Sequence, residues 1–300
     1  MSATVILPAR DEEECIGAVV QEIRRYFDGE VIVVDNGSTD RTVERATAAG
    51  ARVVSEPVAG YGRACQAGAG AADSEVLVYM DADGSDCPED IPALLRAIDR
   101  GASLALGVRK GPRVEPGSIA PAARFGNWFS GVLIGLATGR RLHDLSPLKA
   151  IRSDLLAAID PQELTYGWTV EVLVTSADRG ETIMEVSAGY RHRAGGQSKV
   201  SGDLRASVKA GYRILFVMGR FMLKRMTPVG AGALAGGAVG LIGLAAFTVW
   251  LLIGAPAGRD VLVAPWLLAW PLLLVTTLLG SGVGRLFVRT DKSAVPGKAL

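Results

Sequence analysis

The chain has 300 residues and a formal net charge of +1, so its overall electrostatics give no sign of a nucleic-acid partner. Three widely separated cysteines (Cys15, Cys65, Cys87) suit neither a disulfide framework nor a zinc site, and His143 and His192 alone exclude a histidine-rich metal centre. The length predicts one or two domains with enough chain for a core, and the cysteine usage predicts a reduced setting.

Met1-Ser2-Ala3 leads directly into a strand-like run, without the basic segment and cleavable apolar core of a signal peptide. Strands are predicted at Val5 to Leu7, Val31 to Val34, Arg52 to Val54, Val76 to Met80 and Leu104 to Val108. Helices are predicted between them at Glu12 to Tyr26, Thr39 to Ala49, Gly62 to Ala72 and Pro88 to Arg100. Their starts are marked by Ser38-Thr39-Asp40 and by Asp86-Cys87-Pro88-Glu89-Asp90. Near-continuous apolar strands separated by amphipathic helices predict an α/β fold, a mostly parallel sheet flanked by helices.

Such sheets bind ligands at the carboxyl ends of their strands. Polar residues collect there: Arg10-Asp11-Glu12 after the first strand, Asp35-Asn36-Gly37-Ser38 after the second, Asp81-Ala82-Asp83 after the fourth. An NAD-type site is excluded, because Pro8-Ala9-Arg10 follows the first strand in place of a Gly-x-Gly-x-x-Gly turn; Gly68-Ala69-Gly70 lies in a predicted helix and reads as close packing. Asp81 and Asp83, one residue apart where a buried strand meets a loop, are suited to a hard divalent cation, Mg or Mn, which in turn holds a diphosphate. The competing reading is a solvated acidic loop.

Beyond residue 202 the pattern changes. Over 203–227, Arg205, Lys209, Arg213, Arg220 and Lys224 share one helical face and Leu204, Val208, Tyr212, Leu215 and Met222 another, which predicts an interfacial amphipathic helix. The competing reading is a surface helix packed on the sheet domain. No charged residue occurs from Met226 to Gly258, nor from Val261 to Gly284, so 228–286 is expected to form two transmembrane helices. Arg220, Lys224 and Arg225 precede the first span and Arg285, Arg289, Lys292 and Lys298 follow the second. Positive residues stay inside, so a multi-pass protein of the cytoplasmic membrane is expected, with the domain 1–202, the tail 287–300 and both termini cytosolic. Gly230, Gly232, Gly236, Gly237 and Gly240 suit close helix packing, within the hairpin or in a homo-oligomer.

Pro8-Ala9-Arg10-Asp11-Glu12, Val33-Val34-Asp35-Asn36-Gly37-Ser38-Thr39-Asp40 and Asp81-Ala82-Asp83 resemble the nucleotide-sugar core of the family 2 inverting glycosyltransferases of GT-A fold. Asp144-Leu145-Ser146-Pro147-Leu148-Lys149-Ala150-Ile151-Arg152, Tyr166-Gly167-Trp168-Thr169-Val170-Glu171 and Arg191-His192-Arg193-Ala194-Gly195-Gly196-Gln197-Ser198-Lys199-Val200-Ser201-Gly202 resemble its dolichyl-phosphate mannose synthase branch. The likeness covers about residues 3 to 225. It implies a Rossmann-like GT-A domain that binds a nucleoside diphosphate sugar through Pro8, Ala9, Arg10, Glu12, Asp35, Gly37, Asp81 and Ala82. The implied metal set is Asp81, Asp83 and Ser85, with Asp83 the direct ligand. Two departures stand out: Ser85, followed by Asp86, where relatives often carry a metal-binding Gln, and Tyr61 where many place Lys, with Arg63 nearby to supply the charge.

The acceptor turns on a proton. A sugar hydroxyl needs a general base, for which Asp144 and Glu171 are the candidates; a polyprenyl phosphate is already anionic and needs only cations. Arg191, Arg193, Ser198 and Lys199 are the expected acceptor-phosphate residues. Asp144 reads equally as a loop anchor and Glu171 as a solvent-facing residue. No Gln-x-x-Arg-Trp segment of processive synthases occurs, so one sugar per cycle is expected. The alternatives are the same donor chemistry with a glycolipid or small-molecule hydroxyl, or a non-catalytic nucleotide-binding membrane protein.

Overall fold

Apolar runs flanked by helices assemble into one mixed sheet in the computed structural model, which describes residues 1–195 and 216–221. In chain order the elements are β1 (Ala3–Ala9), α1 (Ile16–Ile23), β2 (Glu30–Asp35), α2 (Thr42–Ala48), β3 (Arg52–Ser55), α3 (Tyr61–Ala71) and β4 (Val76–Tyr79). A short 3-10 turn, Pro88–Asp90, leads into α4 (Ile91–Asp99). Then follow β5 (Leu104–Val114), α5 (Pro121–Thr138), β6 (Lys149–Arg152), α6 (Ser153–Ile159), α7 (Gly167–Asp178) and β7 (Ile183–Tyr190). The sheet order is β3-β2-β1-β4-β6-β5-β7. Among the described strands, β6 alone runs against its neighbours, pairing antiparallel with both β4 and β5. The α/β class and the mostly parallel sheet agree with the expectation.

Alternation within each strand sorts the core into two faces. Val5, Leu7, Val31, Val33, Val76 and Val78 pack with Ile16, Val20 and Ile23 of α1 and Ile91, Leu94 and Ile98 of α4. Ile6 and Val34 point the other way, beneath α3, where a Cβ on Gly68 would lie 2.4 Å from Ile6 Cγ2. The close-packing reading therefore holds for Gly68, but a Cβ on Gly70 meets nothing within 4 Å.

Three helix starts differ from the sequence pattern. Residues 12–15 form a turn, with Glu12 O accepting from Cys15 N and Ile16 N, and α1 begins at Ile16. Asp40 accepts from the Thr42 backbone N–H and from Glu13 N, which delays α2 to Thr42. Proline at Pro88 opens a 3-10 turn, so the α-helix begins at Ile91. Strand β5 outlasts its apolar run, because the exposed half after Val108 is held by pairing with β7 across a bulge.

The described elements belong to a unit spanning Met1–Met218, except for the last residues of a helical stretch at 216–221. Among the described residues no helix is long and apolar enough to cross a membrane. The two charge-free runs of 228–286, the tail 287–300, most of the predicted interfacial helix 203–227, and Ser198 and Lys199 lie outside the described residues.

Candidate active site

The chain leaves β4 into a tight acidic loop. The Asp81 backbone N–H donates to Asp86 Oδ2 at 2.9 Å, and Ser85 donates to Asp83 Oδ1 from its backbone N (2.9 Å) and its hydroxyl (2.6 Å). Gly84 adopts φ +77°, and a Cβ there would stand 2.9 Å from Ala194 Cβ, so both backbone and space demand glycine. The segment after β7 runs beside this loop: Asp86 bridges Tyr190, Arg191 N donates to Ser85 O, and Ala194 N donates to Asp83 O. It thereby delivers Arg193, whose guanidinium donates to Glu12 Oε1 and, at 2.9 Å, to Asp83 Oδ2.

Burial pushes the Asp81 carboxyl well above the usual carboxylate range, and the neighbouring charges of Asp86 and Asp83 push it further. Burial also raises Asp86, which is fully buried and whose Oδ1 has no hydrogen-bond partner among the described residues. Against this negative cluster stands Lys149, wholly buried on β6 and drawn down to about 8 by burial. Its ammonium donates to Pro147 O at 2.8 Å and lies 5.6 Å from the Trp168 ring. Like carboxylates held together, with an oxygen left unpartnered, are the donor chemistry of a hard divalent cation. Among the described residues no three His, Cys, Asp or Glu side chains are gathered closely enough to hold a metal by themselves. The set fits a cation whose remaining ligands are phosphate oxygens and water. Ser85, expected as a ligand, is buried and supports Asp83 with its hydroxyl.

The side of the rim expected to take the nucleotide is built by the ends of β1 and β2. Ala9 is buried and its carbonyl accepts from Asn36 N at 2.8 Å; Pro8 pairs with Val34. Asp35 accepts from Ser38 N at 3.1 Å, and Gly37 takes φ +78° in the turn. Glu12 is buried with its backbone N–H donating to Thr42 Oγ1 at 2.8 Å. Arg10 is exposed, 3.7 Å from Asp11, and Ala82 is buried. Asn36, absent from the expected site set, organises this rim: its Nδ2 donates to Glu56 O and Val58 O, and its Oδ1 accepts from Gly60 N. An asparagine at a strand end, a residue type that builds turns through its side chain, was the available signal.

The expected catalytic and acceptor residues are not gathered as one group. Asp144 accepts two bonds from the Arg109 guanidinium, at 2.7 and 2.9 Å, plus others from Arg109 N, Leu145 N and Asn127 Nδ2. That placement corresponds to the anchor reading. Glu171 accepts from the Glu163 backbone N–H at 2.7 Å and fastens the loop before α7; it neither faces open solvent nor joins the carboxylate cluster. Arg191 is forked onto Glu22 at 3.0 and 3.2 Å and onto Asp86 O, a buttress between α1 and the acidic loop. Of the acceptor set, Arg193 alone among the described residues reaches Asp83. Tyr61, at the position where the resemblance noted lysine in many relatives, is half-buried and stacks with Tyr166, ring centroids 6.2 Å apart.

Comparison with known proteins agrees with this geometry. The family described as Glycosyl transferase family 2 matches residues 4–158. An uncharacterized glycosyltransferase of Mycobacterium tuberculosis (strain ATCC 25618 / H37Rv) is 37% identical over 210 residues, 70% of this chain and 94% of the relative. A dolichyl-phosphate hexose transferase of Haloferax volcanii is 38% identical over 196 residues, 64% of this chain and 83% of the relative. Among solved structures, glucosyl-3-phosphoglycerate synthase from Mycobacterium tuberculosis in complex with Mn2+, uridine-diphosphate and glucosyl-3-phosphoglycerate superposes with a TM-score of 0.60 at 26% identity, covering 73% of this chain and 79% of that one.

Proposed function

Because the chain belongs to glycosyl transferase family 2 and is a glycosyltransferase of GT-A-like fold, we propose that it moves one sugar from a nucleoside diphosphate sugar to polyprenyl phosphate. The transfer inverts the anomeric carbon and uses Mg or Mn, and the protein is anchored in the cytoplasmic membrane with its catalytic domain and both termini cytosolic.

The acceptor half of this reading rests on the saturated state of Asp144. A hydroxyl nucleophile needs a base within hydrogen-bond reach. Asp144 already accepts a bidentate guanidinium and three further N–H groups, and Glu171 is engaged with the Glu163 backbone. An acceptor phosphate attacks without giving up a proton, so neither carboxylate is required. The Haloferax relative, named for a dolichyl-phosphate acceptor, supports the same choice.

On the donor side, Asp81 and Asp83 would hold the cation, with Asp86 behind them. A bound divalent cation supplies neutralisation of the charge that grows on the departing diphosphate. Ala9, Glu12 and Asp35 line the nucleoside end, and Asn36 fixes the turn they share. Arg193 adds a bidentate cation for phosphate oxygens, already drawn to the carboxylates that the metal would neutralise.

The similarity to glucosyl-3-phosphoglycerate synthase favours a second reading, a small anionic acceptor bearing a hydroxyl. Membranes containing the protein, a panel of labelled nucleotide sugars, Mn2+ or Mg2+ and polyprenyl phosphate separate the two. Label entering the organic phase, lost on chelation, is the expected result; label transferred only to a water-soluble phosphorylated acceptor would overturn the lipid reading.

A further inference from the structure

Helix α5 turns one face inward and leaves another open. Inward, Ser130, Ile134 and Ala137 are buried, and Gly131 packs so closely that a Cβ would meet Leu142 O at 2.1 Å. Asn127 faces the rim, donating to Asp144 Oδ1 at 2.8 Å. Outward, Phe125, Trp128, Phe129 and Leu136 recur at helical spacing and are 63%, 52%, 36% and 48% exposed. The Phe125 and Phe129 rings stack with centroids 6.0 Å apart, and Trp128 lies 5.8 Å from Phe125. Isolated exposed apolar residues are ordinary, but Trp128 and Phe129 both packed on Phe125 along one solvent-facing stripe form an interaction surface.

The charge around that stripe identifies its partner. Between Glu115 and Asp144 there is no acidic residue, while Arg124 and Arg141 are basic and exposed. An exposed aromatic stripe beside exposed arginines, in a stretch that carries no carboxylate of its own, matches an anionic membrane surface. The same chain carries charge-free runs from Met226 to Gly258 and from Val261 to Gly284, each of spanning length, which would keep a bilayer within reach. We propose that the outward face of α5 docks on the anionic surface of a lipid bilayer and so presents the Asp144–Arg109 side of the rim to the headgroups. This deepens the lipid-phosphate reading and rests on it for its purpose: an acceptor whose phosphate lies at the headgroup level is best met by a rim held there.

The full chain in nanodiscs of mixed neutral and anionic lipid provides the test. A nitroxide at Trp128→Cys is compared with one at Val43→Cys, an exposed position on α2; Cys15, Cys65 and Cys87 are buried and compete little for label. Collision with oxygen against a water-soluble nickel complex is expected to place position 128 in lipid and position 43 in water. Equal water access at both positions would overturn docking, as would close spin–spin coupling between two 128 labels, the signature of a second copy on this face. A companion variant, Phe125→Gln/Trp128→Gln/Phe129→Gln, is expected to slow transfer to membrane-embedded polyprenyl phosphate about tenfold and to leave metal-dependent donor hydrolysis unchanged. If wild type transfers nothing to polyprenyl phosphate while position 128 still reads lipid, docking stands and the acceptor reading falls.

Discussion

Asp86 and Asp144 are both buried, yet they sit in opposite electrostatic company. Asp86 shares its loop with Asp81 and Asp83 and keeps one oxygen without a partner among the described residues; Asp144 is enclosed by a guanidinium and three other donors. A buried carboxylate among like charges is costly until a cation arrives, whereas one already paired is a fixed point of the fold. Burial alone therefore does not mark the chemistry. The mismatch between a cluster's charge and its partners does, and it separates the side of the rim proposed to hold the cation from the side that positions Arg109.

The largest effect should come from breaking the acidic side. Asp83→Ala removes one of the two carboxylates that Arg193 pairs with and is expected to lower sugar transfer by about a thousandfold or more, the scale of losing preorganised charge stabilisation. Thermal stability should remain close to wild type without added metal, since one of several like charges is gone. Calorimetric titration with Mn2+ should show binding lost in parallel; a variant that binds Mn2+ and donor normally would remove Asp83 from the metal's coordination.

Breaking the paired side should give the reverse pattern. Asp144→Ala leaves the buried Arg109 guanidinium without its carboxylate, at a cost of about 3–5 kcal/mol. For a unit of roughly 200 residues that lowers Tm by about 10 °C. Asp144→Asn, which retains some of the donors' acceptor, should lose less. Melting curves beside kcat sharpen the comparison: a large fall in kcat for Asp144→Asn with Tm unchanged would assign Asp144 as a base and restore the hydroxyl acceptor.

A smaller effect of opposite sign is expected at Asp86. Its folded-state carboxyl is raised above the ordinary value, first by burial and then by Asp83. The charged form is therefore disfavoured in the fold, so the penalty is absent at low pH and develops as pH rises from the ordinary carboxylate range upward. Metal-free protein should lose stability over that rise, and Asp86→Asn, which can still accept from Asp81 N, should flatten the curve by about 1 kcal/mol and weaken Mn2+ binding. A pH profile of Tm unchanged by the substitution would show that Asp86 is no part of the strained cluster.

The acidic side was legible in the sequence because its residues are neighbours: Asp81, Asp83 and Asp86 fall within one turn after an apolar strand. The parallel strands β1 to β4 and the packing role of Gly68 were legible for a similar reason, since local periodicity and spacing carry them. The paired side was not. Arg109 and Asp144 are 35 residues apart and meet because β5 and antiparallel β6 are adjacent in the sheet, a pairing that periodicity does not encode. The same limit hid Lys149, which the fold buries beside Trp168. Helix starts failed where Asp40 and Thr42 redirected backbone donors into a turn.

The smallest expected effect falls on Glu171→Gln, and it tests whether an engaged carboxylate is a supporting one. Its Oε2 accepts from Glu163 N at 2.7 Å and holds the loop that also meets α3, where Arg63 N donates to Leu164 O. That loop is tightly seated, since a Cβ on Gly62 would approach Glu163 O at 2.3 Å. Glu171→Gln keeps an acceptor oxygen for the Glu163 N–H, so the loop should hold and transfer should change by less than about threefold, with the pH profile unshifted. Glu171→Ala leaves that N–H without its acceptor and should cost about 1–3 kcal/mol in stability, with a matching loss of activity on warming. A general base gives a different signature, because Gln cannot take a proton: kcat would collapse in both variants at a temperature where both are folded. Equal and large losses of kcat in folded Glu171→Gln and Glu171→Ala would therefore move the proton-accepting role to this residue and, with it, the acceptor from a phosphate to a hydroxyl.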